Sequence, residues 1–259
     1  MKPYNNGTKR MQGKYGMISV TPYICSDKDV DMLKDKGITL YLTRDLICAC
    51  DKYLCPVVQN GQIGFINSFA EIVIPPKYDS FIGEFNEVES MIVVYRNNMC
   101  GVLNTNGLEI LMGEFQNITL INTKYAIVHS NGQYGIIEIL SSNMVVPFGE
   151  YCSLDRCNDY LVIACQQNKS HKGLISPVGR QITPIKYRWI SYVENGLLRV
   201  IVENKTDDIV SKSWGVIDMQ GHEILPPIYD YISTIKDSKT LYANKDGKSI
   251  RFNIANITR

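Results

Sequence analysis

A phrase of roughly forty residues recurs along the chain, so the fold must be one supersecondary unit copied several times, each copy burying its apolar face on the next. The fullest copy runs Ser213-Trp214-Gly215-Val216-Ile217-Asp218, turns at Gly221, and continues Glu223-Ile224-Leu225-Pro226-Pro227-Ile228-Tyr229-Asp230. A second runs Gln62-Ile63-Gly64-Phe65-Ile66 and on to Ile74-Pro75-Pro76-Lys77-Tyr78-Asp79. With Gly215 as anchor, the equivalent positions are Gly16, Gly64, Gly101, Gly135 and Gly173, and a partial last copy has Ile250 there. Apolar pairs follow the anchor: Phe65-Ile66, Val102-Leu103, Ile136-Ile137, Leu174-Ile175 and Val216-Ile217. Just before it, Asn60-Gly61, Asn131-Gly132 and Asp246-Gly247 are dipeptides that accept positive φ at both centres of a tight hairpin turn.

Each unit reads as four short strands rich in Val, Ile and Tyr. In the third copy they are expected near 91–95, 100–104, 108–111 and 117–121, and in the fifth near 160–165, 173–176, 181–183 and 189–193. Prolines close the third strands at Pro75, Pro147, Pro184 and Pro226, where a missing N–H is tolerated. Helical periodicity is confined to 28–36. An anchor glycine inside a strand marks a bulge or a close approach by another chain segment, rather than a ligand contact. Tyr78, Tyr151, Tyr187 and Tyr229 recur in register with Phe115, so they are expected to pack one unit on the next. The apolar pairs after the anchors should be buried on both members, because a sheet stacked between neighbours hides both faces.

Lys+Arg at 27 against Asp+Glu at 26 leaves no basic excess for phosphate-backbone binding, so nucleic acid is not an expected partner. No run of eighteen apolar residues could cross a membrane as a helix, and no signal-peptide pattern opens the chain. A cytoplasmic location is therefore expected. The eight cysteines (Cys25, Cys48, Cys50, Cys55, Cys100, Cys152, Cys157 and Cys165) share no repeat offset, which suits reduced, packed thiols better than a disulfide framework.

Motifs that would carry chemistry fail on inspection. His129, His171 and His222 fall at three different offsets, and Cys48-Ala49-Cys50 lacks a second ligand pair for zinc. Asp27, Asp29 and Asp31 open like a calcium loop, but Met32 stands at the turn-glycine place and Ile38 at the bidentate-glutamate place; a solvated acidic loop is expected. Gly247-Lys248-Ser249 lacks the first glycine of a phosphate loop, which is Tyr242. Asp79, Glu109, Asp218, Glu223 and Asp230 sit at repeat positions near turns and read as turn formers. No catalytic residue, metal ligand or cofactor is expected. Function is to be sought where the repeat breaks: Arg156, His171, Arg188, Trp189, and the insertions at 25–37 and 204–211.

The copies at 213–230 and 62–79 resemble the bacterial WG repeat, with its Trp-Gly-hydrophobic-Ile-Asp run and its Ile-Pro-Pro-Lys-Tyr-Asp close. Trp214-Gly215 supplies the name-giving pair, and elsewhere the tryptophan has become Tyr15, Ile63, Cys100, Tyr134 or Lys172. The resemblance covers about residues 13–254, treated as one all-β domain over 1–259. It implies a binding or scaffolding surface, and no functional residue carries over from it. Four strands per unit favour a six- or seven-bladed propeller-like ring, in which the C-terminal strands join the N-terminal ones; the alternative is an open superhelix of hairpins. The expected function is a non-enzymatic module presenting loops to a protein, or to a small ligand or glycan. The alternative is a carbohydrate-active enzyme with carboxylates converging from several units. The partner's identity and the oligomeric state are not written in the sequence.

Overall fold

The computed structural model describes residues 9–13, 16–20, 27–40, 54–67, 71–82, 91–166, 170–193, 196–206, 209–234 and 240–253. The chain divides into two compact units, 1–124 with 139–142, and 125–138 with 143–259. In the first, β1 (Lys9–Gly13) and β2 (Gly16–Val20) form a hairpin, followed by α1 (Asp27–Asp35). One antiparallel sheet then runs β3 (Thr39–Leu40), β4 (Cys55–Gln59), β5 (Gln62–Ile66) and β6 (Ile72–Tyr78). The next runs β7 (Ser80–Ile82), β8 (Met91–Arg96), β9 (Met99–Asn104) and β10 (Glu109–Phe115), with β11 (Asn117–Leu120) after it. In the second unit β12 (Tyr125–Ser130), β13 (Gln133–Glu138), β14 (Asn143–Arg156), β15 (Val162–Gln166) and β16 (Lys172–Ile175) pair in succession. A four-stranded sheet follows: β17 (Trp189–Tyr192), β18 (Leu197–Thr206), β19 (Ile209–Asp218) and β20 (Glu223–Tyr229). The last sheet holds β21 (Tyr231–Thr234), β22 (Thr240–Lys245) and β23 (Lys248–Asn253). Apart from α1 the described elements are all β, and four-stranded antiparallel sheets recur among them.

The strands fall where the repeat places them, but the unit begins one strand earlier. Trp189 to Tyr192, expected as the fourth strand of the fifth copy, pairs with β18 and opens the next sheet. Likewise 80–82 pairs with β8, just after Tyr78-Asp79 closes the previous sheet. The β3–β6 sheet shows the unit: a short strand, a tight hairpin and a proline-bearing strand. Two-residue turns close the hairpins with positive φ at Asn60-Gly61, Asn97-Asn98, Asn131-Gly132 and Asp246-Gly247, the backbone that those residues adopt most cheaply.

The anchor glycines sit opposite a bulge. Ile63 pairs with Tyr78 and Phe65 with Ile74, so the single residue Gly64 faces three, Pro75 to Lys77. The same count recurs at Gly215, between Trp214↔Tyr229 and Val216↔Leu225. A Cβ on Gly64 would lie 2.6 Å from the Ile74 carbonyl oxygen and from Pro76 N, and one on Gly215 would lie 2.9 Å from the Leu225 carbonyl oxygen. The bulge turns the extra residues toward the glycine, and proline suits it because its nitrogen has no ladder bond to make. The first copy departs from this. Gly16 pairs with Gly13 beside the turn, whereas Gly64 lies two residues further in; the true anchor place in that copy is Ile18. In the fifth copy, 181–183 is not a strand but a single bridge, Ile175↔Gln181. Thr183 takes the buried place that Ile74 and Leu225 hold elsewhere, and its Oγ1 accepts the Leu174 N–H at 2.9 Å.

Both members of each expected apolar pair are buried: Val102 and Leu103, Ile136 and Ile137, Leu174 and Ile175, Val216 and Ile217. Within the second unit Val216 joins a core with Leu225, Tyr229, Ile232 and Leu241, while Ile217 joins another with Leu174, Tyr187, Ile190 and Leu198. One strand thus feeds two cores, as a sheet with neighbours on both faces must. Tyr78, Tyr151, Tyr187 and Tyr229 are buried in register, and Phe115 is half-buried.

The region 27–35 is a helix, where the helical periodicity at 28–36 placed one, and not the solvated acidic loop expected of Asp27, Asp29 and Asp31. Lys34 lies in its last turn, a charge that opposes the helix dipole there, while Leu33 is buried. Cys25 and the Cys48-Ala49-Cys50 pair lie outside the described residues.

Candidate functional site

The register carboxylates hold the scaffold. Asp79 Oδ2 accepts the backbone N–H of Asn97, 2.7 Å away, and Asp230 Oδ2 accepts that of Asp246 at 2.9 Å. In both cases the aspartate after the register tyrosine caps the hairpin turn of the following sheet. The backbone aligns it: Asp79 N donates to the Tyr95 carbonyl and Asp230 N to the Asn244 carbonyl, each at 2.8 Å and each two residues before the capped N–H. Asp218 accepts from the backbones of Gln220 and His222 and from His222 Nδ1. Burial opposes ionisation of Asp218, yet these hydrogen bonds outweigh it and lower its pKa. Glu109 accepts from Lys77 Nζ and the Tyr78 hydroxyl, both at 2.7 Å, and these bonds hold its carboxyl below its ordinary pKa.

The fifth copy breaks this rule at one residue. Arg188 follows Tyr187 where the copies closing at Tyr78 and Tyr229 have aspartate, and its N–H makes the same register bond, to the Ile201 carbonyl at 2.7 Å. Two residues on, at the place of Asn97 and Asp246, stands Glu203. Here no tight turn awaits capping: β18 and β19 run on from Val202↔Ser213 through Glu203↔Lys212 to Thr206↔Ile209. The insertion at 204–211 has carried the turn away. Arg188 Nε instead pairs with Glu203 at 3.1 Å, and its Nη1 donates to the Ser170 carbonyl at 3.1 Å. Carboxylate-to-backbone capping has been replaced by an ion pair at the base of a longer hairpin.

A groove of about 330 Å³ opens at this point, lined by Ser170, Lys172, Arg188, Trp189, Ile201 and Lys212. Lys172 stands at the tryptophan place of its copy, and its Nζ lies 5.3 Å from the Trp189 ring centroid, a cation–π contact. Its other neighbour is Asp155, at 3.9 Å. Trp189 is 50 % exposed. Its counterpart in the next sheet, Tyr231, packs edge-on against Trp214 at 4.9 Å, with Arg199 over the Trp214 ring. Lysine has thus replaced the aromatic partner that Trp214 supplies to Tyr231. Three cations and an exposed indole, with no carboxylate among the lining residues, form a surface suited to anionic or amphipathic ligands rather than to acid–base chemistry.

Arg188 and Trp189 are therefore brought together, as is the base of the 204–211 insertion. Arg156 is not part of the groove; it pairs with Asp159 at 2.6 Å. His171 lies between two lining residues without lining the groove itself. Lys172, Glu203 and Lys212 were not singled out by the sequence. The signal that could have found them was the coincidence of arginine in the aspartate place with an eight-residue insertion two strands on. Among the described residues no group of His, Cys, Asp or Glu could hold a metal ion. Burial pushes the Cys100 thiol up to about 12 and that of Cys157 up to about 11, where neither is a nucleophile at neutral pH. No helix among the described residues is long and apolar enough to cross a membrane.

The family described as WG containing repeat matches residues 63–100, 173–205 and 214–248. Those stretches cover the anchor strands and bulges of three units, so the chain carries WG repeats. No curated protein matches the chain in sequence. Among solved structures it is similar to a eukaryotic initiation factor at 11 % identity and TM-score 0.43, over 73 % of this chain and 57 % of that one. The chain thus spans little more than half the length of that structure. It is also similar to Kluyveromyces lactis Hsv2 at 11 % identity and TM-score 0.44, over 81 % of this chain and 74 % of the other.

Proposed function

We propose that this WG-repeat chain is a non-enzymatic binding module that holds a protein partner in the Trp189 groove and along the hairpin extension at 204–211. The observation that supports it is the coincidence of four departures from the repeat at one place: Arg188 for aspartate, Lys172 for tryptophan, an exposed Trp189 and a lengthened hairpin. Scaffold residues are repeated because each unit needs them; residues that break the pattern and remain exposed serve something outside the scaffold. Exposed Trp and Arg in one groove are also the side chains most enriched at energetic centres of protein interfaces. A carbohydrate-active enzyme would need two carboxylates facing one space about 5–10 Å apart. Asp79, Glu109, Asp218 and Asp230 are instead each engaged in a cap or ion pair. We place the module in the cytoplasm; eight cysteines that share no repeat offset suit a reducing compartment better than a disulfide framework. Recovery of the chain in the exported fraction of its cells would contradict that placement.

The test of function is affinity capture with the full chain and with a variant in which Asn-Gly replaces residues 203–212, restoring the tight turn of the other copies. The expected result is a protein retained by the first and lost by the second, at equal folding. Equal retention by both would remove the groove from the account.

A further inference from the structure

Resting on the binding reading above, we infer that the groove takes an acidic polypeptide segment in extended conformation, added as a strand to the open edge of β18. The edge is set by the pairing. β17 accompanies β18 only as far as Trp189↔Ile201, where Arg188 N donates to the Ile201 carbonyl. From Val202 to Thr206, β18 pairs with β19 alone among the described residues. In an antiparallel ladder the N–H and C=O of one residue point to the same side, and alternate residues share a side. The Ile201 carbonyl points to β17, so the main-chain groups of Glu203 and Lys205 point to the same side, beyond the end of β17. A strand placed there continues the line of β17 and runs past Arg188 and Trp189.

Free main-chain donors and acceptors at strand spacing are answered by another polypeptide and by neither a sugar nor a phosphate, which decides the class of ligand. Charge decides its sign. Lys172, Arg188 and Lys212 line the groove without a carboxylate among them. Glu203 and Asp155 answer the first two from outside the lining, at 3.1 Å to Arg188 and 3.9 Å to Lys172. Lys212 has no ion pair among the described residues, so a ligand carboxylate meets an unanswered cation. Trp189 offers an amphipathic wall against which one side chain of the added strand packs.

The probe is a fluorescein-labelled decapeptide of alternating glutamate and threonine, followed by anisotropy with the full chain at low salt. It should bind at least about tenfold more tightly than the lysine–threonine equivalent, and binding should fall as salt rises. Methylating alternate backbone nitrogens of the peptide keeps its charge and removes strand addition, and it should weaken binding about tenfold or more. Lys212→Gln, a change at an exposed strand position that sets no new carboxylate against Glu203, should weaken it severalfold without altering thermal unfolding. No binding by the decapeptide, equal binding by its methylated form, or tighter binding by a heparin-derived octasaccharide would each overturn the inference. These outcomes leave the binding reading to the capture experiment, which uses no synthetic probe, so the two fail separately.

Discussion

At Gly215 one hydrogen in place of a side chain lets the bulge at Pro226–Ile228 close against the anchor strand, and Leu225 and Pro227 leave no room for more. The close neighbours are backbone atoms, which cannot swing aside as a side chain could. Gly215→Ala should therefore cost about 1–3 kcal/mol, the range for overpacking, against the gain of up to about 1 kcal/mol that alanine brings where its backbone is compatible. Chemical denaturation measures it, and unchanged stability would refute the crowding. Glu109 gives a second expectation. Its folded pKa lies below the ordinary 4.5, so its bonds to Lys77 and Tyr78 stabilise the fold above that value and are lost as pH falls through the lowered one. The thermal midpoint of the parent should exceed that of Glu109→Gln at pH 6, and the gap should close toward pH 3. The group is partly exposed, so the gap corresponds to no more than about 1 kcal/mol. The anchor glycines and register tyrosines were legible because each recurs at a fixed offset from its neighbours. Ile18 was not: a glycine two residues away imitated the anchor, and only the hairpin pairing reveals which residue stands at the anchor's distance from the turn.

Within an element, the pattern of strands was legible and their grouping was not. Alternation and turn dipeptides mark where strands lie, but pairing partners are a property of space, so the strand at 189–193, expected to close the fifth copy, opens the following sheet instead. The β18–β19 hairpin shows a coupling that neither of its halves discloses alone. Arg188 belongs with the long hairpin and aspartate with the tight turn, so their effects on stability should change sign together. With the parent hairpin, Arg188→Asp sets a carboxylate against Glu203 and should destabilise by about 1 kcal/mol. With residues 203–212 replaced by Asn-Gly, the same substitution regains a turn cap and should stabilise by a similar amount. A double-mutant cycle by urea unfolding reads the coupling directly, and additive effects would show that the two departures from the repeat are unrelated.

Over the whole molecule, repetition made the all-β class and its unit readable, since every copy votes on the same pattern, whereas the functional surface occurs once and has no second copy to reveal it. The expectation that the array closes, its C-terminal strands joining the N-terminal ones, belongs to this scale. Deleting 240–259 should then lower amide protection within residues 1–50; a change confined to 214–235 would mark an open array. The central claim is that binding sits where the repeat is broken and nowhere that it is kept. Amide hydrogen exchange of the full chain, with and without the protein recovered by affinity capture, tests it most directly. The account predicts new protection at 170–172, 188–189 and 202–213, with the register hairpins at 91–104 and 125–138 unchanged. Protection spread over those equivalent hairpins, with residues 202–213 unaffected, would contradict it.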